Sequence, residues 1–145
     1  MQHTKVKDIM TPNPETTSPE ETLNKAAGKM KDKDCGVLPV SKDGKLHGII
    51  TDRDIVIRGL CRDKNPADAR VEECMTQDVF SCKESDTLSD AAEIMRKHDV
   101  SRLIVTDENG KIAGILSFGS ILRKNKDLNE VSDVVACATG HRKAA

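Results

Sequence analysis

Apolar residues along the chain fall into two alternating rhythms. Over Thr22–Lys33 they stand at Leu23, Ala26, Ala27 and Met30, the i, i+3, i+4, i+7 spacing of a helix with one buried stripe. Leu88, Ala91, Ala92 and Met95 repeat that stripe. Behind each predicted helix comes a short apolar run, Gly36–Val40 and Arg102–Thr106, of strand length. Polar turns follow, Lys42-Asp43-Gly44 and Asp107-Glu108-Asn109-Gly110, where glycine supplies the positive φ of a hairpin. Returning strands are predicted at Leu46–Ile50 and Ile112–Leu116, and second helices near Asp52–Leu60 and Phe118–Lys124. From Asn125 onward, Leu128, Val131, Val134, Val135 and Ala138 keep helical spacing. They predict a last amphipathic helix that covers a core or joins a second subunit, with a frayed end over Gly140–Ala145.

The two rhythms are copies of each other. Val6, Met10, Thr11, Thr22, Leu23, Ala26, Ala27, Met30, Asp34, Leu38 and Val40 recur as Val71, Met75, Thr76, Thr87, Leu88, Ala91, Ala92, Met95, Asp99, Leu103 and Val105. Every pair is 65 positions apart; after Asn109 the match resumes one residue later, Gly48 and Ile49 answering Gly114 and Ile115. The predicted organisation is repeat one over 1–64, repeat two over 65–124 and a C-terminal helix or tail over 125–145. Each repeat is a β-α-β-β-α unit, so the fold class is α+β. A single copy is too small to be robust alone, and two copies facing each other create paired clefts. Cys61–Arg70, short, charged and containing Pro66, reads as the linker.

Charge and composition narrow the function. With 23 basic and 24 acidic residues the 145-residue chain has a formal net charge of -1, and without a basic stripe nucleic acid is not the expected partner. No apolar run is long enough to span a membrane and Met1–Met10 is mostly polar, so a soluble, cytoplasmic protein with no membrane partner is expected. Five cysteines, an odd number without a CxxC, predict reduced and mostly buried thiols. With two phenylalanines and neither tryptophan nor tyrosine, an aromatic cage for a ligand is not on offer.

Candidate chemistry gathers at Gly48-Ile49-Ile50-Thr51-Asp52-Arg53-Asp54. Gly48 permits close approach to the strand. Thr51 is placed to cap the following helix, where free N–H groups attract phosphate. Asp54 lies three residues on, and an ionised carboxylate accepts both hydroxyls of a ribose cis-diol. Arg53 adds a charge for phosphate. Thr51-x-x-Asp54 is equally the spacing of a capping box that needs no ligand, and both readings stand on the residues alone.

Together with the repeat, Asp8-Ile9-Met10-Thr11, Leu38-Pro39-Val40, Asp43-Gly44-Lys45-Leu46-His47-Gly48-Ile49-Ile50 and Thr51-Asp52-Arg53-Asp54-Ile55 resemble a tandem pair of CBS domains, the modules named after cystathionine β-synthase. The second copy supplies Glu73-Cys74-Met75-Thr76, Asp107-Glu108-Asn109-Gly110-Lys111-Ile112-Ala113-Gly114-Ile115 and Leu116-Ser117. The resemblance spans about Lys5–Lys124 and is closest to small stand-alone bacterial proteins made of one such pair. It implies an adenosine-containing ligand (AMP, ADP, ATP, S-adenosylmethionine or NAD) held in clefts between the copies. By that resemblance Asp54 takes the ribose and Thr51 is the hydroxyl residue. Thr16 and Thr17 contact the base, Gly36, Val37, Leu38 and Pro39 line it, and Arg102 from the second copy meets phosphate. It also implies a homodimer joined through helices.

The second copy departs from this pattern. In Leu116-Ser117-Phe118-Gly119-Ser120 a serine stands where the ribose acid belongs, and a neutral hydroxyl cannot replace a carboxylate that accepts two protons. One competent site at Thr51/Asp54 and a degenerate second site at Ser117, Phe118 and Ser120 are expected. Cys137 and His141 are four apart, but two ligands do not make a zinc site, and no metal is expected. No catalytic constellation emerges. The expected function is a regulatory, non-enzymatic ligand-sensing module acting on an unknown effector protein. The alternative is a structural or protein-interaction module with no physiological nucleotide, and a third possibility is an accessory subunit of an enzyme.

Overall fold

Thr22 and Thr87 open the two matching helices in the same way, each hydroxyl accepting a backbone N–H three residues on, from Lys25 at 3.2 Å and Asp90 at 3.1 Å. Both helices then end on an aspartate in the left-handed region, Asp34 at φ 50° and Asp99 at φ 55°, which short polar side chains tolerate better than most. These elements come from a computed structural model that describes residues 4–140.

In chain order the elements are α1 (Val6–Ile9), β1 (Thr11–Pro12), α2 (Leu23–Lys33), β2 (Val37–Lys42), β3 (Lys45–Thr51) and α3 (Asp52–Asp54). After them come β4 (Ser81–Lys83), α4 (Leu88–His98), β5 (Arg102–Thr106), β6 (Ile112–Ser117), α5 (Phe118–Lys124) and α6 (Leu128–Ala138). The β2–β3 hairpin turns on Asp43 and Gly44, both at positive φ (52° and 74°). The longer β5–β6 turn is held by the Asp107 carboxylate, which accepts the N–H groups of Asn109 and Lys111, with Gly110 at φ 78°.

The expected helix near Asp52–Leu60 is present but is not a regular α-helix. After the α turn of α3 the chain makes a π turn over Ile55–Gly59 and a 3₁₀ turn over Leu60–Arg62. Gly59 lies against α2, where an added Cβ would stand 3.0 Å from Leu23 Cδ1. The wide turn places Ile55 and Gly59 inward and leaves Val56, Ile57 and Leu60 about half exposed. Its counterpart α5 is a plain α-helix.

Two compact units emerge, and neither coincides with a stretch cut at the repeat boundary. One comprises 14–79; the other joins 4–13 to 80–140. The first strand of each copy docks on the hairpin of the other copy. β1 runs antiparallel to β6 in the sheet β1-β6-β5-β4, Thr11 opposite Ile115. In the 14–79 unit Thr76 bridges Ile49 of β3 through two backbone hydrogen bonds of 3.0 and 2.8 Å. A glycine makes room each time. A Cβ at Gly114 would lie 2.7 Å from the Thr11 carbonyl oxygen, and one at Gly48 2.4 Å from that of Thr76. A basic residue from the following helix completes each junction, Lys124 Nζ donating to the Met10 carbonyl (2.7 Å) and Arg58 Nη1 to that of Met75 (3.0 Å).

The core of the 14–79 unit is Leu23, Ala26, Met30, Leu38, Val40, Ile50, Ile55, Ala69, Val71 and Cys74. Burying each large aliphatic side chain contributes about 1.5–3 kcal/mol. Ala69 comes from within the expected linker and Val71 from just after it, and the linker is bound to α2. The carbonyls of Pro66 and Ala69 accept the N–H groups of Asn24 and Leu23, free donors at the start of α2. In the other unit Val6, Met95, Leu103, Val105, Leu116 and Ile121 form the core, closed by Val131, Val134 and Ala138 of α6. The last helix therefore covers a core. At its start the buried Glu130 accepts hydrogen bonds from Thr4 Oγ1 (2.6 Å) and Asn125 Nδ2 (2.8 Å). The stripes of α2 and α4 differ at one position: Ala92 is buried under α6, whereas Ala27, with no such cover in its own unit, is exposed. No helix among the described residues is long and apolar enough to cross a membrane.

Candidate functional site

The end of β3 positions Thr51 with extended backbone (φ -114°, ψ 162°), and the chain turns at once into α3. Thr51 Oγ1 accepts the Asp54 N–H at 3.0 Å and Asp54 Oδ2 accepts the Thr51 N–H at 3.0 Å. The capping box is therefore formed. It also aims the carboxylate: with Oδ2 committed to Thr51, Oδ1 is left with longer partners, Thr76 Oγ1 at 3.4 Å and Arg58 Nε at 3.9 Å. Asp54 is 9% exposed, so this oxygen is a nearly buried acceptor without a short hydrogen bond, where most such groups are fully paired.

The other expected residues of the 14–79 unit lie along the strands beside this acid. Val37 pairs with Thr51 across the hairpin, and the Gly36 carbonyl accepts the Asp52 N–H at 3.0 Å. Gly36 is crowded by a carboxylate, since a Cβ there would stand 2.9 Å from Asp52 Oδ2. Leu38 and Val40 face the core, and Pro39 is also buried. On the far edge of β2 the Thr16-Thr17 segment adds one parallel bridge: Thr17 N–H donates to the Pro39 carbonyl (3.0 Å) and the Thr17 carbonyl accepts from Ser41 N–H (2.9 Å). Thr17 is buried and its hydroxyl donates to Glu21. Arg53 is exposed, and its guanidinium makes no ion pair among the described residues. Arg102 begins β5 and belongs to the other unit.

Thr76 and Arg58 were not legible as partners of Asp54, because Thr76 lies 22 positions away and reaches it only through the strand exchange. The signal available was the repeat itself, which made Met75-Thr76 the twin of Met10-Thr11.

In the second copy Ser117 and Ser120 form the same box. Ser117 N–H donates to Ser120 Oγ (3.0 Å), Ser120 N–H to Ser117 Oγ (3.1 Å), and the Ser120 hydroxyl returns to the Ser117 carbonyl (2.9 Å). Ser120 is fully buried, so its hydroxyl is committed inside the turn. Phe118 packs against the core of its unit. In the same unit Phe80 stacks on His98 with centroids 3.8 Å apart.

All five cysteines are free; Cys74 and Cys82 are buried, Cys35 and Cys137 half-buried and Cys61 exposed. That is a more exposed set than composition suggested. Burial pushes the Cys82 thiol up to about 12, with Asp86 adding to it, and burial also raises Cys74. The thiolate is the reactive form, so brief iodoacetamide treatment of the native protein should label Cys61 and spare Cys82 and Cys74 by peptide mass spectrometry. Equal labelling of Cys82 would contradict the burial. Cys137 Sγ donates to Glu93, and His141, its expected neighbour, lies outside the described residues. Among the described residues no three His, Cys, Asp or Glu side chains are grouped to hold a metal ion.

Comparison with known proteins agrees with the repeat. The CBS domain family model matches residues 6–59 and again 71–127. The chain belongs to the CBS domain family and carries two copies. Hypoxic response protein 1 of Mycobacterium tuberculosis is 33% identical over 121 residues, spanning 83% of this chain and 84% of that protein. A crystal structure of Hypoxic Response Protein I with two coordinated zinc ions superposes with a TM-score of 0.72, at 32% identity over 84% of this chain and 99% of that one. The CBS domain pair of protein MJ0100, in complex with 5'-methylthioadenosine and S-adenosyl-L-methionine, gives 0.72 at 31% identity, covering 83% and 94%. CBSX2 in complex with AMP, a protein of Arabidopsis thaliana, gives 0.66 at 29% identity, again over 83% and 94%.

Proposed function

We propose that this chain is a regulatory module without catalytic activity that binds one adenosine-containing ligand at Thr51 and Asp54. The observation that carries this reading is Asp54 Oδ1, a nearly buried carboxylate oxygen with only long partners. A ribose hydroxyl is a donor that would complete it. Family members complexed with AMP and with S-adenosylmethionine support the ligand class. The backbone and aliphatic groups of Thr16, Thr17 and Gly36–Pro39 receive the base, while Arg53 offers charge to phosphate. Ser120, consumed by its own turn, leaves the second site degenerate. Val56, Ile57 and Leu60 form an exposed apolar face through which the chain associates as a homodimer, and an effector protein reads the ligand-dependent state. A ligand shifts that state only by its differential affinity.

The test is thermal unfolding of nucleotide-free protein with AMP, ADP, ATP, S-adenosylmethionine or NAD, for wild type and Asp54→Asn. Asparagine keeps the shape and one oxygen for Thr51 but removes the charged acceptor. A ligand at a hundred times its Kd adds about 2.7 kcal/mol, a rise of several degrees in Tm that Asp54→Asn should abolish. If no ligand shifts the folded wild type, the interaction-module reading replaces this one.

A further inference from the structure

We infer that Lys29 and Glu21 are positioning residues that hold the Thr16-Thr17 segment ready for a nucleotide base, and that they are one reason binding is confined to the 14–79 unit. The inference rests on the nucleotide reading of Thr51 and Asp54 and extends it to groups on α2 and on the segment that leads into it.

Lys29 Nζ donates to the Thr16 carbonyl at 2.8 Å and to Glu21 Oε1 at 2.7 Å. The same Glu21 oxygen accepts the Thr17 hydroxyl (3.1 Å) and the Ser18 N–H (3.2 Å). Burial pushes the Glu21 carboxyl up, but the hydrogen bonds from Lys29, Ser18 and Thr17 outweigh it and hold the group below the usual range. The carboxylate thus stays charged at neutral pH and keeps its three donors.

The consequence is geometric. The peptide unit between Thr16 and Thr17 is fixed at both ends, its carbonyl by Lys29 and its N–H by the Pro39 carbonyl. Thr16 N–H, on the preceding peptide unit, has no partner among the described residues, and the clamp holds the residue that carries this backbone donor. Such a donor suits a ring nitrogen of a base, and holding its residue in place before binding reduces the ordering cost of association.

The repeat supplies the internal control. Glu21 and Lys29 correspond to Asp86 and Ile94. Asp86 is one carbon shorter and keeps only the counterpart of the Ser18 bond, accepting the Lys83 N–H, while Ile94 packs against the core. The matching segment there is drawn into the sheet as β4, parallel to β5 over Ser81–Lys83. Among the described residues neither the ion pair nor the clamped carbonyl has a counterpart in that copy.

The experiment is isothermal titration with AMP and with IMP, which differ at the base edge, on wild type, Lys29→Met, Lys29→Arg and Glu21→Gln, with Tm of each ligand-free variant. The expected result is about a tenfold loss of AMP affinity in Lys29→Met and Glu21→Gln, a smaller AMP-to-IMP ratio, and substantial recovery in Lys29→Arg. A merely structural role would lower Tm and leave the ratio intact. Unchanged affinity and ratio in folded Lys29→Met and Glu21→Gln overturn the inference while wild-type binding upholds the nucleotide reading. Absence of AMP and IMP binding to wild type, with none of the other adenosine ligands raising Tm, removes both.

Discussion

Gly48→Ala is expected to destabilise the protein by about 1–3 kcal/mol, the usual cost of forcing atoms into a filled space. The added Cβ would stand 2.4 Å from the Thr76 carbonyl oxygen, far inside contact distance and against backbone rather than a side chain that can swing away. Relief requires Thr76 to retreat from β3, which loosens both backbone bonds between Ile49 and Thr76. The Thr76 hydroxyl moves with it and withdraws one of the donors facing Asp54. Stability and ligand affinity should therefore fall together, which distinguishes this substitution from Asp54→Asn, where affinity falls with the strand junction intact. Urea unfolding of the ligand-free protein reads the first effect as a lower midpoint at unchanged slope. An unaltered midpoint would mean that the exchanged strand does not rest on Gly48.

The same glycine shows how far the chain could be read before its structure. Period-3.6 stripes located α2 and α4, and the glycines at 44 and 110 located the two hairpin turns, because each signal is local and acts within a few residues. The choice of hairpin for each leading strand is not local. Met10-Thr11 and Met75-Thr76 face two nearly identical hairpins, each with its glycine, and the period says nothing about which is taken. The bound linker was hidden for a related reason: Pro66 marks a break in regular structure but not the destination of its carbonyl. The irregular turn over Ile55–Gly59 was hidden because the spacing of its apolar residues does not distinguish a π turn from an α turn.

At the site, Thr51 and Asp54 were legible since a fixed spacing of three encodes both a cap and an acceptor above it. The capping box is the one that forms, and the acceptor reading does not require it to break. The box spends one carboxylate oxygen and orients the other. Glu21 and Lys29 were not legible because charged residues on helices and their approaches are common, and only the Thr16 carbonyl distinguishes this pair. Leu38 was legible as a strand residue, but its side chain lies in the core, so any ligand contact there is left to the backbone.

Two equivalent substitutions test the asymmetry of the copies most sharply. Ala92→Glu is expected to cost about 3–5 kcal/mol, the range for a buried charge without a partner, and Ala27→Glu less than about 0.5 kcal/mol. The positions are twins in sequence, each the third apolar member of its stripe. Ala92 is 1% exposed in a cluster with Val131, Val134 and Ala138 of α6. A glutamate there must either enter that cluster or push α6 away, and either course uncovers or desolvates what α6 now protects. Ala27 is exposed on α2, and a glutamate in its place would gain Lys31 one turn on, a pairing that modestly favours the helix. Urea unfolding of the two variants reads the difference directly. A small loss for Ala92→Glu would mean that α6 contributes little to the core it covers. A large loss for Ala27→Glu would mean that its face of α2 is covered in solution, and sedimentation of the wild-type chain would then show whether a second copy covers it.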